Sequence, residues 1–165
     1  MKERLQKISD RLEQITNFFV AIIFAVMIFA CLMQVFTRYV LNNSIFWTEE
    51  LARFCYIWST FLAASICTKK RSHAAVSIFF NLLPGQLKTK AAFILQLLVC
   101  FGALIMVVYG FKISAMTFSQ PSPALSISMG IFYGSVPVGG LLIMIQSAIA
   151  LIVDPAQQSK EELVL

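Results

Sequence analysis

Charge is what this sequence has least of. Only 13% of its 165 residues are charged, where an ordinary globular domain carries about 25%. A water-soluble chain of this size needs polar groups over most of its exterior, and that scarcity excludes one. Cysteine is sparse and unpatterned. Cys31, Cys55, Cys67 and Cys100 show no Cys-x-x-Cys or metal-ligand spacing and all fall in apolar runs, which excludes a disulfide scaffold and predicts small buried hydrophobes. The single histidine, His73, has no Asp, Cys or Glu at ligand spacing, so no metal site is expected and a surface or packing role is. There is no glycine-rich phosphate loop and no nucleophile–base arrangement, so the chain is expected to be no enzyme and to hold no cofactor. What abounds instead is apolar: 59% of residues, 15 of them Phe and 7 Met, with a mean hydropathy of +0.81. That excludes a disordered chain. The net charge of +5 is spread between apolar runs rather than gathered in a patch, which excludes a nucleic-acid binder. A solvent other than water covers this protein, namely membrane lipid.

Charge-free windows place the spans, because a charge inside one costs a few kcal/mol on insertion scales of about 2.5–3.5. Gln14 to Thr37 and Ala91 to Phe111 are each free of charge and reach the roughly 20 residues that a hydrocarbon core demands. Ile113 to Val153 is too long for one span and is broken by Gln120-Pro121-Ser122-Pro123; Asp154-Pro155 ends it. Phe54 to Thr68 is too short unless its helix starts near Phe46 and carries Glu49, Glu50 and Arg53 in its first turns. The expected fold is therefore an all-α integral membrane protein of four transmembrane helices, at about 15–37, 46–68, 89–112 and 131–153, in one membrane domain covering 1–165 with a flexible tail at 156–165.

Lysine and arginine orient it. Ten of the 13 (Lys2, Arg4, Lys7, Arg11, Lys69, Lys70, Arg71, Lys88, Lys90, Lys160) fall on one side and Arg38, Arg53 and Lys112 on the other, which predicts cytoplasmic N- and C-termini. Two short helical segments are expected to be interfacial. Leu5, Ile8, Leu12, Ile15 and Phe19 form one apolar stripe at the N-terminus. The stretch 72–83, with His73, Ser77 and Asn81 every fourth residue, either lies along the cytoplasmic face or prolongs the second helix. No cleavable signal peptide is expected, since the first apolar segment runs past Ala30-Cys31 without a convincing small-residue site.

The densest polar cluster is Trp47-Thr48-Glu49-Glu50 with Arg53. Glu49 and Glu50 lie four and three residues before Arg53, so the guanidinium can pair with either. Thr48 is a candidate cap, and acids suit the positive end of the helix dipole. Two readings stay open: a capped helix start with an internal ion pair, or an ion-paired contact within a protein–protein interface. Adjacent carboxylates diverge by about 100° and cannot flank one bond. Gln34, Gln96 and Gln146 inside the spans suit helix–helix hydrogen bonds better than an ion path, and the first span, like the third between Lys90 and Lys112, carries no charge. An accessory membrane subunit fits these features better than a transporter acting alone.

Gln34-Val35-Phe36-Thr37-Arg38-Tyr39, Trp47-Thr48-Glu49-Glu50-Leu51-Ala52-Arg53, Trp58 and Phe61-Leu62-Ala63-Ala64 resemble the small membrane subunit of tripartite ATP-independent periplasmic (TRAP) transporters. So do Lys69-Lys70-Arg71-Ser72-His73-Ala74-Ala75-Val76 with Leu83-Pro84, and Pro123-Ala124-Leu125 followed by Tyr133 and Pro137. Ser77, Ala63, Ser126 and Ser128 depart from the family pattern, where Asp, Gly, and Gly or Pro are common. The resemblance implies a bacterial inner-membrane subunit of a sodium-coupled, binding-protein-dependent carrier of an organic acid (a C4-dicarboxylate, sialic acid or related carboxylate). It implies two partners, a large polytopic membrane subunit that carries substrate and sodium, and a soluble periplasmic binding protein. On that view the small subunit stiffens the large one's scaffold and helps dock the binding protein. Trp47, Glu49, Glu50, Arg53 and Trp58 are then expected at the large-subunit interface, and Arg38, Asn42, Asn43 and Lys112 on the docking face. Two alternatives fit less well. A small four-helix exporter would need an acid in its first span, and a quinone-linked disulfide oxidoreductase would need cysteine pairs outside the spans.

Overall fold

A computed structural model describes residues 2–42, 45–70 and 85–153. They form α1 (Lys2–Tyr39), α2 (Phe46–Lys70), α3 (Gly85–Met116), the short α4 (Met129–Tyr133) and α5 (Ser135–Val153). Four stretches are long and apolar enough to cross a membrane: Lys2–Tyr39, Phe46–Lys69, Phe93–Met116 and Met129–Ile152. The four expected spans are thus present, each starting or ending a few residues beyond its predicted bounds. The stretch 72–83, with His73, and the tail 156–165 lie outside the described residues. Two ends of the molecule recur below. The termini end holds the starts of α1 and α3 and the ends of α2 and α5; the loop end is opposite.

Two expectations change. The N-terminal stripe is no separate interfacial segment, because the 38 residues of α1 form one continuous helix about 57 Å long at 1.5 Å per residue. No Gly or Pro interrupts residues 2–39, and helix propagation is cooperative once begun. Ile8, Ile15 and Phe19 face outward. The buried positions of α1 are Ser9, Thr16, Ala30 and Thr37, which fall on a seven-residue spacing with the half-buried Ile23 between. Small side chains on that line let α2 lie close, as membrane helices prefer. Thr16 and Thr37 bond back to the carbonyls of Leu12 and Gln34, at 2.7 and 3.2 Å, so neither hydroxyl is stranded.

The fourth span also departs from a regular helix. Its hydrogen-bond ladder misses a bond at Gly134, between α4 and α5, while the backbone there stays right-handed helical (φ −60, ψ −21) and the span runs on from Met129 to Ile152. Pro137 has no N–H to give the Tyr133 carbonyl, so the helix ladder cannot run through unbroken. Ser128 caps α4 by accepting the Gly130 amide at 3.1 Å.

Helix α5 is central, packing on α2, on α3 and more lightly on α1; α1 and α2 pack extensively together, whereas α3 leans on α5 and α4. Adjacent glycines on α5 diverge by about 100° and serve two neighbours. A Cβ on Gly139 would stand 2.6 Å from Phe61 Cβ on α2, and one on Gly140 3.0 Å from Met106 Cβ on α3. Polar clasps hold the same seams. Gln96 on α3 donates to Ser147 Oγ at 2.7 Å, and Gln146 accepts from Ser9 Oγ at 2.5 Å while donating to the Ser9 carbonyl at 3.3 Å. Two of the three glutamines therefore join helices as expected. Gln34 contributes its carbonyl to Thr37.

At the termini end, Lys69 on α2 bridges Asp10 (2.5 Å) and Glu13 (2.7 Å) on α1. The cysteine expectation needs correction: all four are free, but Cys31 and Cys67 are exposed and Cys55 and Cys100 only half-buried. In a membrane the outer surface is as apolar as the interior, so an apolar run does not say which residues face inward.

Candidate functional site

The polar cluster predicted around Trp47 opens α2 at the loop end, and its two acids have different tasks. Glu49 Oε1 takes Arg53 Nη2 at 2.7 Å, one helical turn on, in a pair whose side chains are 59% and 63% exposed. Glu50 turns the other way. Its Oε2 accepts the backbone amides of Ala124 at 2.7 Å and Leu125 at 3.1 Å, 74 and 75 residues away in sequence. Its Oε1 is enclosed with no hydrogen-bond donor among the described residues. One guanidinium faces two acids, and spacing alone could not choose between them; the loop decides by offering Glu50 two amides.

Thr48 is no N-cap. It lies fully buried inside the first turn and donates its hydroxyl to the Ile45 carbonyl at 2.7 Å. The helix starts at Phe46, three residues before the Glu49 start that a Thr48 cap would set, so the Ile45 carbonyl lies one turn back and within reach.

The segment receiving Glu50 joins α3 to α4. Ser122 N–H meets the Ile127 carbonyl at 2.8 Å and Met129 N–H the Gln120 carbonyl at 2.8 Å, with Pro121 opposite Ser128 in a short antiparallel bridge. Ser126 stands at φ 55, a left-handed conformation that favours glycine. The Ser128 hydroxyl bonds the Phe118 carbonyl and the Ser114 hydroxyl the Gly130 carbonyl, closing the segment on its own helices. Phe54 on α2 packs edge-on against Phe132 of α4, ring centroids 4.7 Å apart. Ile45, Phe46, Trp47, Pro123 and Ala124 line a shallow open depression beside the Glu50 contact.

Of the expected interface residues, Trp47, Glu49 and Arg53 are exposed, whereas Glu50 and Trp58 are half-buried. Outward residues recur along α2 as Glu49, Arg53, Tyr56, Thr60 and Cys67, a stripe of polar and small side chains down the whole span. The reading of isolated motifs missed the last three, although their steps of three, four and seven were visible. Of the expected docking residues, Arg38, Asn42 and Lys112 are exposed, and Asn43 lies outside the described residues. Arg38 ends α1 and Lys112 lies on α3, helices that share no extensive packing, so no single cluster gathers them. Among the described residues no group of three or more His, Cys, Asp or Glu could hold a metal.

Four spanning helices, polar side chains spent on helix contacts, and one end built from a helix start and a folded loop define a multi-pass α-helical membrane protein. Residues 27–156 match the model of the family described as tripartite ATP-independent periplasmic transporters, DctQ component, and the chain belongs to that family. It is a small TRAP transporter subunit of the Q type, a transport component and not an enzyme. The chain is 28% identical over 142 residues to the sialic acid TRAP transporter small permease protein SiaQ of Vibrio cholerae, covering 85% of this chain and 79% of that one. It is 36% identical over 96 residues to the isethionate TRAP transporter permease protein DctMQ of Oleidesulfovibrio alaskensis, and 25% over 115 residues to the sialic acid TRAP transporter permease protein SiaT of Haemophilus influenzae. Those matches cover 56% and 67% of this chain but only 15% and 18% of the two longer proteins.

Proposed function

We propose that this chain is the small inner-membrane subunit of a sodium-coupled, binding-protein-dependent carrier of an organic acid, and that α2 is the helix by which a large permease holds it. The outward stripe of α2 carries this reading. An ion pair, a tyrosine, a threonine and a cysteine face outward along one span; the Thr60 hydroxyl is met by the Tyr56 carbonyl, but lipid tails do not solvate the charges of Glu49 and Arg53. A protein neighbour does. Trp47 extends the stripe at the loop end, with Glu50 and Trp58 half-buried behind it. Four helices fixed to the large permease enlarge its stationary frame, which a moving transport domain needs. The loop end then faces the periplasm, and the exposed Arg38, Asn42 and Lys112 are offered there, as separate contacts, to the soluble binding protein. The longer relatives, named as permeases, and the names of SiaQ and DctMQ support an anionic substrate such as sialic acid or isethionate, bound in the other components.

The test is to co-express the tagged chain with its large permease, purify in mild detergent and measure how much permease follows. Replacing Arg53 by Ala is expected to reduce recovery; unchanged yield together with unchanged uptake would overturn the interface. Vesicles holding all three components, energised by a sodium gradient and offered C4-dicarboxylates, sialic acid and isethionate in turn, identify substrate and coupling ion. Uptake without a sodium gradient would overturn the coupling.

A further inference from the structure

Pro123, Ala124 and Leu125 form the tip of the segment joining α3 to α4. The bridge at Ser122–Ile127 and Gln120–Met129 folds that segment on itself, and Ser126 N–H returns to the Ser122 carbonyl at 3.2 Å. The amides of Ala124 and Leu125 are directed to the neighbouring helix, where one oxygen of Glu50 accepts both. Two successive amides converging on a carboxylate oxygen form a small anion-binding nest, and such charge-assisted bonds are stronger than neutral ones. Arg53 bonds Glu49 and only its field reaches Glu50, so the direct bonds to Glu50 come from the loop. The consequence is a composite surface. Phe46, 80% exposed, and Trp47, 43% exposed, come from the start of α2; Pro123 and Ala124 come from the loop. They line one depression, and Glu50 ties its two halves together.

We infer that Glu50 is a positioning residue: it sets the loop tip against Phe46 and Trp47 and so determines the shape of the loop-end surface that the soluble binding protein meets. The inference rests on the reading that this end faces the periplasm. Glu50 itself makes no contact with the partner. Its requirement is an acceptor oxygen at the two amides, so an amide side chain can replace it and a methyl cannot. A residue that paired by charge with the large permease would behave oppositely.

The experiment uses the complete three-component system with Glu50→Ala and Glu50→Gln, each with and without Leu125→Cys. A membrane-impermeant maleimide reports the loop, since Leu125 is half-buried beside Glu50. Uptake measured against binding-protein concentration separates docking from turnover. In Glu50→Ala, labelling of Cys at 125 is expected to accelerate, and the half-saturating concentration of binding protein to rise about tenfold at a maximal rate within about twofold of the parent, a factor of ten being about 1.4 kcal/mol of docking. Glu50→Gln is expected to stay within about twofold of the parent in both readouts, because its carbonyl oxygen still accepts two amides. The inference is overturned if Glu50→Ala leaves labelling unchanged, if labelling accelerates without any shift in half-saturation, or if Glu50→Gln is as impaired as Glu50→Ala. Should Glu50→Ala fail to accumulate, Glu50→Gln still decides, since a charge requirement predicts its failure and an acceptor requirement its recovery. Labelling only from the opposite side of the vesicle would instead overturn the orientation reading and leave the Glu50 contact standing.

Discussion

Helices α2 and α3 cross the same membrane and pack on different faces of α5, yet they turn different surfaces outward. On α3 the outward residues from Phe93 to Val108 are Phe93, Ile94, Leu97, Leu98, Phe101, Leu104, Ile105 and Val108, all apolar, with Tyr109 and Lys112 exposed only toward the loop end. On α2, past the exposed Phe46 and Trp47 at its start, they are Glu49, Arg53, Tyr56, Thr60 and Cys67. Lipid tails pack against the first set at no cost, whereas the second sets an ion pair in a medium that does not solvate charge, even though Glu49 bonds Arg53 and the Thr60 hydroxyl bonds the Tyr56 carbonyl. In a membrane, hydrophobicity does not separate inside from outside, so the informative contrast is between two outsides. The α3 face is suited to lipid and the α2 face to protein.

The strongest way to break this contrast is steric. Thr60→Trp puts a large ring into the α2 stripe and is expected to lower recovery of the large permease at least about tenfold, since overpacking a seam costs about 1–3 kcal/mol. Leu98→Trp on α3 is expected to leave recovery within about twofold, and equal losses would erase the distinction. Next comes charge. Arg53→Ala strands Glu49, so it is expected to reduce complex recovery several-fold more than the double variant Glu49→Ala/Arg53→Ala, which removes both charges. Equal effects of the single and double variants would show that the pair acts through something other than its charge.

A third test uses the paired glycines of α5. Gly139→Ala forces a methyl to within 2.6 Å of Phe61 Cβ beside the α2 backbone and is expected to lower thermal stability in detergent clearly. Gly140→Ala meets Met106 Cβ at 3.0 Å, a gentler approach that a small shift of α3 relieves, so the drop is expected to be smaller. The reverse order would mean that α3, not α2, is the more firmly seated neighbour. The smallest effect expected is for Gln96→Leu, which removes the α3–α5 clasp to Ser147. Interhelical hydrogen bonds in membranes average about 0.6 kcal/mol, so a melting shift of a few degrees or less is anticipated, with complex recovery unchanged.

The spans were legible because their signal is one-dimensional. A charge-free run of sufficient length has one stable outcome in lipid, and all four appear where the runs lie. The outline of the site was legible too, since Glu49, Glu50 and Arg53 stand together in sequence. The division of labour between the two acids was not. It depends on amides of Ala124 and Leu125, more than 70 residues away, and on a loop whose fold is set by its own backbone bonds. Thr48 was misread as a cap because a threonine near a helix start can either accept from a later amide or donate back to the carbonyl three residues before it, and the start at Phe46 leaves it the second task. The missing helix bond near Gly134 had its cause in plain view in Pro137, which has no N–H to give, while the helical backbone carries on through it. Ser126 shows the same limit: nothing in a serine announces the left-handed backbone, φ 55, that the folded loop gives it.

By itself, the sequence determined the solvent of this protein, the number of its crossings and the family to which its motifs point. Each follows from local composition, because lipid forbids unpaired backbone and penalises charge wherever either occurs. The tertiary structure decided which face of each helix is spent inside. An α-helix in lipid is apolar all round, and burial there is chosen by small residues and interhelical hydrogen bonds rather than by hydrophobicity. That is why Gly139 and Gly140 could be seen in the chain but their two partners could not, and why the scarce charges acquired distinct tasks only once α2 met the loop.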